Sequence, residues 1–533
     1  MLRKRILTGM AAGLLGLLLS GCNDGGTSRT VTLISGSENK SLFPIVQDFA
    51  DQQGIDLEIK GRGSVDIMLD IRKGTRAEAD IVWPAASLWL ELGDLARVVK
   101  HEKSIMRSPV VFWVKKNKAE TLGWTGRDVT MADIVSAAEG GLTFGMTSAT
   151  QSNSGAMAYF AMLSAAAGRP NVLTEAHVND PAVKSRVAEL LKGVDRTSGS
   201  SGWLGDLYLE HPGAMDAMFN YEAVGIEVNQ ALERAGGEPL CAIYPADGLA
   251  IADSPLAYVD KGDSDDDQAI EAFFLKLQEH LLSDKVQAKL AASGRRVGPL
   301  GLSSSTLSDT VFRKDWCIDT GRAITALTIP EQSVIEAALR VYQGETRRPS
   351  EIVFLLDYSG SMTGDGNHQL VEALSNLLLE VKSKTFFLET TADDIFYAVP
   401  FNDSPLAIWK ATGNSATSLE QMFRQIEEYK PNGGTDIYAA SARGLTILNE
   451  SGHGDTHSQM ILLLTDGQSQ GAPSMVLERL SPDPAANKPI FSILFGQASE
   501  TQVEQLAKAS AARVFDGRKG LVDAFRNARG YAN

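Results

Sequence analysis

Short apolar runs alternate along this chain with stretches whose apolar residues fall three and four apart. This is the pattern of buried strands alternating with amphipathic helices. The first unit is a strand at 31–34, a polar loop Ser35-Gly36-Ser37-Glu38-Asn39, a helix over 42–53 and a strand at 57–60. A helix at 67–73 follows, then a strand ending in Trp83-Pro84 and a buried strand over 108–115. Next comes a strand whose hydroxyl-rich loop, 147–155, leads into a helix over 156–166. Helices are expected over 267–282, 286–292 and 330–343, with 299–316 irregular and 344–350 a linker. The run Asp263-Ser264-Asp265-Asp266-Asp267 has the acid density of a calcium loop but lacks the turn glycine and the closing glutamate, so it reads as a solvated loop.

Beyond residue 350 the alternation becomes regular. Strands are expected at 352–356, 395–401, 407–412, 460–464, 490–495 and 513–515. Helices are expected over 369–382, 418–429, 437–449, 476–480, 500–511 and 521–528. Apolar strands joined through helices predict a doubly wound, mostly parallel sheet, with its site at the carboxyl ends of the strands. The fold class is therefore α/β throughout, in two units that meet near residue 345.

The N-terminus departs from this pattern. Residues 1–5 are basic, and 6–20 form one apolar stretch, shorter than the roughly 20 residues a membrane span needs. It ends in Leu19-Ser20-Gly21-Cys22 and turns polar at once. The tetrapeptide resembles the bacterial lipobox. The resemblance implies a signal peptide over 1–21, acylation of Cys22 (palmitate among its chains), and a tether over 22–30. It places the protein in the cell envelope, on a bacterial membrane facing the periplasm or the exterior. An uncleaved anchor, or an ordinary signal with a chance cysteine, is the alternative. Export would let a disulfide persist between the other two cysteines, Cys241 and Cys317; two buried thiols are the other reading.

The 533 residues carry a formal charge of −16, which repels phosphate backbones and argues against nucleic acid as a partner. There is no phosphate-binding P-loop, no G-x-S-x-G elbow, no H-E-x-x-H and no nucleophile beside a base, so a non-enzymatic role is expected. His453 and His457 flank Asp455 in a glycine-rich stretch and read as a surface loop.

Two constellations remain. Small hydroxyl residues precede helices at Ser37 and at Ser152 and Ser154, where free backbone N–H groups and the helix dipole favour a polar ligand or serve only as caps. Region 31–345 carries S-G-S-E-N at 35–39, A-D-I-V-W-P-A-A-S at 79–87, S-P-V-V-F-W-V at 108–114 and T-Q-S-N-S-G at 150–155. It also carries Asn220-Tyr221-Glu222 and Tyr244-Pro245-Ala246-Asp247-Gly248. It resembles the bacterial extracellular solute-binding proteins of the type with molybdate- and phosphate-binding members. The resemblance implies two lobes closing on a small solute, with Ser37, Ser152, Ser154, Glu222 and Asp247 as ligand contacts. The two carboxylates argue against a simple oxyanion pocket.

The second constellation is Asp357-Tyr358-Ser359-Gly360-Ser361 at the end of an apolar strand, joined by Thr435 after Gly433-Gly434 and by Asp466 before Gly467. Region 346–533 resembles the von Willebrand factor A domain, and the five residues match its metal-ion-dependent adhesion site. That implies Mg²⁺ (Mn²⁺ or Ca²⁺ as alternatives), held by three hydroxyls and two carboxylates. A carboxylate from a partner protein would complete the shell. Asp365 is a candidate for a second metal. The expected function is a membrane-tethered binding protein that docks a partner through the metal and takes a solute in its N-terminal half. The substrate-binding component of an ABC-type transporter is the alternative.

Overall fold

The structure is a computed structural model that describes residues 29–298, 307–320, 327–385, 387–413, 415–466, 468–496, 500–518 and 520–531. The expected signal peptide and the acylated Cys22 lie outside the described residues.

Two sheets build the N-terminal half. The first has the order Leu57–Arg62, Val31–Gly36, Ile81–Trp83, Pro255–Val259, Val99–Ser104; its first three strands are parallel and Pro255–Val259 runs against both its neighbours. The second centres on Ser108–Lys115, antiparallel to Ala217–Tyr221 and Leu240–Ile243, with Phe144–Thr147 parallel to Ala217–Tyr221 and to Val194–Ser198. The chain passes between the two sheets at 105–107 and again at 253–254. These crossings lie side by side, with the Ile105 N–H donating to the Ser254 carbonyl at 3.1 Å. This is a two-lobed architecture with a paired hinge.

The acidic run expected as a loop is instead a helix start. Asp265–Leu282 is helical, and the Ser264 hydroxyl caps it by accepting the Asp267 N–H at 3.1 Å. Three acids in the first turn face the positive end of the helix dipole, which rewards them there. Cys241 and Cys317 are disulfide-bonded, with Cα atoms 5.0 Å apart. The bond closes a loop of 76 residues and pins the segment around Trp316 to the second lobe's core. Replacing both cysteines with serine is expected to cost about 2–5 kcal/mol, read as a drop in the thermal midpoint; an unchanged midpoint would show that the packing of Trp316 suffices.

The expected linker is a packed joint. Helix Gln332–Val341 buries Val334, Ile335, Ala338 and Leu339, spaced for one face, against a core that also holds Val65, Met68, Trp89 and Leu92 of the first lobe. A wider helical turn, Tyr342–Thr346, continues it. Gln343 is fully buried; it donates to the Glu389 carbonyl at 3.0 Å and accepts from the Thr150 hydroxyl at 3.2 Å. The two halves of the chain therefore meet through side chains rather than through a free tether.

The C-terminal sheet has the order Trp409–Thr412, Ile395–Phe401, Ser350–Asp357, Ser458–Thr465, Ile490–Leu494, Val514–Asp516, and only the Trp409–Thr412 edge strand is antiparallel. Ser350–Asp357 is central and buried throughout, which is why it reads as a continuous apolar run. Its Ile352, Phe354 and Leu356 join one core with helices Asp365–Leu378 and Leu521–Arg529, while Val353 and Leu355 join another with helix Ile437–Glu450. Helices on both faces leave the carboxyl edge, at Asp357, as the open rim. Among the described residues, no helix is long and apolar enough to cross a membrane.

Candidate functional site

The strand Ser350–Asp357 delivers Asp357 to the sheet edge with no exposed surface. Its two oxygens are already engaged: Oδ1 accepts the Ser359 N–H at 2.9 Å and Oδ2 accepts the Thr465 hydroxyl at 2.6 Å. The Ser359 and Ser361 hydroxyls lie 3.0 Å apart, and Ser361 donates to Asp466 Oδ1 at 2.9 Å. The loop that carries Thr435 is stitched to the Asp357–Ser361 loop by two backbone bonds. The Gly360 N–H donates to the Gly433 carbonyl at 2.9 Å and the Asn432 N–H to the Tyr358 carbonyl at 2.7 Å. Gly433 has a φ of +79°, and a Cβ there would lie 2.8 Å from Asn402 Nδ2 and from Asp403 Oδ2. Only glycine allows this approach, which brings Thr435 to the rim, where it is 6% exposed.

Four of the five expected residues are thus linked by hydrogen bonds, and Thr435 sits on the loop tied to them. The group is graded in depth: Asp357 and Ser359 form the floor, Asp466 and Thr435 the wall, and Ser361 is exposed. Burial pushes the Asp357 carboxyl above its usual range; hydrogen bonds from Thr465 and Ser359 oppose the shift and the charge of Asp466 adds to it. Burial raises Asp466 likewise. Two buried carboxylates facing hydroxyls make an all-oxygen donor set of the kind a hard divalent ion takes. Among the described residues, no group of three or more His, Cys, Asp or Glu side chains is placed to hold a metal. This group has only two carboxylates and draws its remaining oxygens from hydroxyls. Asp365 is exposed at the start of helix Asp365–Leu378, where a Cβ on the next residue, Gly366, would lie 3.3 Å from Asp466 Oδ2. Thr465 is a member the sequence reading missed, although its hydroxyl beside Asp466 was a visible signal.

The cleft between the lobes is a different case. Ser152 and Ser154 direct their hydroxyls to Ser201, at 3.0 and 2.7 Å, and Ser154 also meets the Thr147 hydroxyl at 2.8 Å. Glu222 takes a two-pronged ion pair from Arg296, at 2.7 and 2.8 Å, and a further hydrogen bond from the Tyr244 hydroxyl. Asp247 accepts the Met131 N–H at 2.9 Å, at the start of helix Met131–Glu139. Each of these four side chains has a hydrogen-bond partner inside the protein. The reason is physical: buried polar groups find partners, and here the partners are other parts of the fold. Ser37 lies at a lobe–lobe contact, its hydroxyl accepting the Gly202 N–H at 3.2 Å.

The lobes touch directly. The Val65 N–H donates to the Gln151 carbonyl at 3.1 Å and Trp89 Nε1 to Asn153 Oδ1 at 2.7 Å. A Cβ on Gly63 would fall 2.1 Å from that same Gln151 carbonyl, so the approach requires glycine. A cavity of about 380 Å³ remains at the mouth, walled by Ser37, Arg62, Trp203, Arg513 and Tyr531 from both lobes and the C-terminal half.

Glu38, in the loop beside Ser37, has a buried Oε1 without a hydrogen-bond partner, and burial pushes its carboxyl up to about 7 against the pull of Arg295. A folded-state pKa above the unfolded one means the folded protein holds the proton more tightly. Stability from this group should fall as pH rises from about 4.5 through about 7. Glu38→Gln is expected to raise the thermal midpoint at pH 8 and to leave it nearly unchanged at pH 5. Equal midpoint shifts at both pH values would refute a buried, proton-holding Glu38.

Comparison with known proteins gives two matches along the chain. Residues 31–296 match the family model for bacterial extracellular solute-binding protein, and residues 351–520 match that for the von Willebrand factor type A domain. Among curated proteins, inter-alpha-trypsin inhibitor heavy chain H2 of Homo sapiens is 35% identical over 125 residues, 22% of this chain and 12% of that protein. Heavy chain H3 of Bos taurus is 26% identical over 163 residues, 29% of this chain and 17% of that protein. The chain thus spans less than a fifth of the length of these relatives. Among solved structures, the sulfate-binding protein SubI from Mycobacterium tuberculosis H37Rv aligns with a TM-score of 0.38 and 18% identity, covering 57% of this chain and 95% of that one. A von Willebrand factor type A protein from Catenulispora acidiphila aligns with a TM-score of 0.29 and 17% identity, covering 35% of this chain and 43% of that one.

Proposed function

We propose that this chain, in which an N-terminal solute-binding domain precedes a von Willebrand factor A domain, is an exported docking protein. Its C-terminal domain engages a partner protein through a divalent cation. The observation that carries the reading is the convergence of Asp357, Ser359, Ser361 and Asp466 through hydrogen bonds at one open sheet edge, with Thr435 on the adjoining loop. Ser359, Ser361 and Thr435 would offer neutral oxygens, and Asp357 and Asp466 would hold bound waters and balance charge. Mg²⁺ favours about six oxygens near 2.1 Å and would supply an electrophilic position for a partner's carboxylate. Ser361, the exposed member, leaves the rim accessible to such a group. Domains of both matched kinds are typically non-catalytic, in keeping with a binding role. Acylation at Cys22 would hold the protein at the membrane surface.

The alternative, delivery of solute to an ABC-type permease, needs lobes that open to solvent and side chains free to meet a solute. The internal partners of Ser152, Ser154, Glu222 and Asp247 weigh against it. The deciding experiment is capture of membrane or envelope proteins by the full chain with Mg²⁺ and with a chelator. Capture should be lost on chelation and restored by Mg²⁺; undiminished capture in chelator would overturn metal-dependent docking.

A further inference from the structure

Closed two-lobed binding units are held shut by a ligand that touches both lobes. In this structure the group that does so belongs to the chain itself. Arg526 stands on helix Leu521–Arg529 of the C-terminal domain and is 4% exposed. One end of its guanidinium pairs with the Asp66 carboxylate, on helix Ser64–Ile71 of the first lobe. The other end donates to the Thr150 carbonyl of the second lobe at 2.8 Å. Its own backbone carbonyl accepts a hydrogen bond from the Gln151 side chain. Thr150 and Gln151 open the T-Q-S-N-S-G loop, the stretch the sequence singled out for solute binding.

The helix that presents Arg526 is fixed at its far end. Arg529 lies fully buried in the C-terminal domain, donating to the Ser350 hydroxyl at 2.9 Å and 3.6 Å from the Asp394 carboxylate. Tyr531 meets Trp203 of the second lobe edge-on, with ring centroids 4.7 Å apart. Arg526 is therefore held at the junction rather than hanging from a loose end. A guanidinium is well suited to the task, because its fork can serve a carboxylate and a carbonyl at once while staying charged.

We propose that Arg526 is a tethered ligand of the solute-binding unit. The cleft mouth is an arginine-recognition site made of Asp66, the Thr150 carbonyl and the Gln151 amide. Its occupation by Arg526 holds the lobes closed without any solute. Opening the lobes separates Asp66 from Thr150, so it must break this grip. Lobe closure and the seating of the C-terminal helix are thereby coupled, each favouring the other, as linkage requires. The proposal is independent of any metal at the sheet edge.

The test is amide hydrogen exchange on the full chain, read at Gly202. Its N–H bonds across the lobes to Ser37 and is remote in sequence from every residue to be changed. Arg526→Ala should speed exchange at Gly202 by tenfold or more, Arg526→Lys by less, and strand Ser458–Thr465 should stay protected. Asp66→Asn, which leaves the C-terminal domain untouched, should have a similar effect, and the double variant should exceed neither single one by much. Unchanged exchange at Gly202 in Arg526→Ala would overturn the proposal, and so would fully additive effects of the two substitutions. If Arg526→Ala also exposes strand Ser458–Thr465, Asp66→Asn decides alone: fast exchange at Gly202 supports the clasp and native exchange refutes it.

Discussion

Asp394→Asn is expected to destabilise the C-terminal domain by about 3–5 kcal/mol. Asp394 has no exposed surface and lies between two arginines. Its Oδ1 accepts the Ser350 N–H at 2.7 Å, the Ser350 hydroxyl at 2.9 Å and Arg347 Nη1 at 3.0 Å. Its Oδ2 accepts the Thr391 N–H at 2.8 Å and pairs with Arg347. Arg529 approaches to 3.6 Å. The variant keeps the shape and removes the one carboxylate that, among the described residues, pairs with both arginines, so two buried guanidinium groups would repel each other. The cost of breaking such a cluster comes from the charge left behind, not from the lost bond alone. The two arginines, with the backbone N–H of Ser350, hold the carboxyl down to about 2 despite full burial. A depressed folded-state pKa means that this contribution, about 2 kcal/mol, is present above about pH 4 and is lost as pH falls through about 2. Denaturant unfolding at pH 7 and pH 3 measures both effects. Asp394→Asn should lower the midpoint clearly at pH 7 and narrow the gap between the two pH values. An unchanged midpoint at pH 7 would refute the assignment.

The hydrogen-bonded group at the sheet edge was legible because its signals are local and chemically explicit. Asp357, Ser359 and Ser361 sit within five residues at the end of a continuous apolar run, and Gly433-Gly434 announces a loop of close approach before Thr435. The internal partners of the expected solute contacts were not legible, because a hydroxyl-rich loop before a helix looks the same whether it faces a solute or a neighbouring loop. The partner of Ser154 is Ser201, 47 residues on, and that of Glu222 is Arg296, 74 residues on. Nothing near Glu222 in sequence foretells a buried ion pair. Arg526 is the harder case. On a helix pattern it reads as a solvent-facing cation, and its partners lie in the other half of the chain. The linker around 344–350 failed for a related reason. Glu345 is exposed as a linker residue would be, whereas Thr346 and Arg347 are buried.

One strand ties these features together. Ser350, its first residue, is in the Asp394 cluster, and Asp357, its last, is the floor of the candidate metal group. Eight residues of strand span roughly 25 Å, so the two sites lie at opposite edges of one sheet. The Asp394 cluster also anchors the helix that carries Arg526. The domain is thus braced on the edge that faces the solute-binding lobes and open on the edge that would face a partner.

That division of labour makes the consequence of Asp357→Ala specific. The substitution is expected to lower Mg²⁺ affinity at least 100-fold while leaving the lobes closed. Among the described residues, Asp357 makes no direct bond across to the lobes; its oxygens hold the Ser359 N–H and the Thr465 hydroxyl, and through them the orientation of the rim. Its loss removes one of two negative charges and frees the loop that aims both serine hydroxyls. Groups that only orient metal ligands are commonly worth 10- to 100-fold in affinity, and Asp357 would contribute charge besides. In thermal unfolding the native chain should gain stability on adding millimolar Mg²⁺, following RT ln(1 + [Mg²⁺]/Kd), and Asp357→Ala should gain none. Asp365→Ala, on an exposed residue outside the hydrogen-bonded group, should gain as much as the native chain. If Asp357→Ala keeps the full Mg²⁺ increment, the cation binds elsewhere and the docking edge must be sought on another face. If Asp365→Ala alone loses it, the metal belongs to the helix start rather than to the five-residue group.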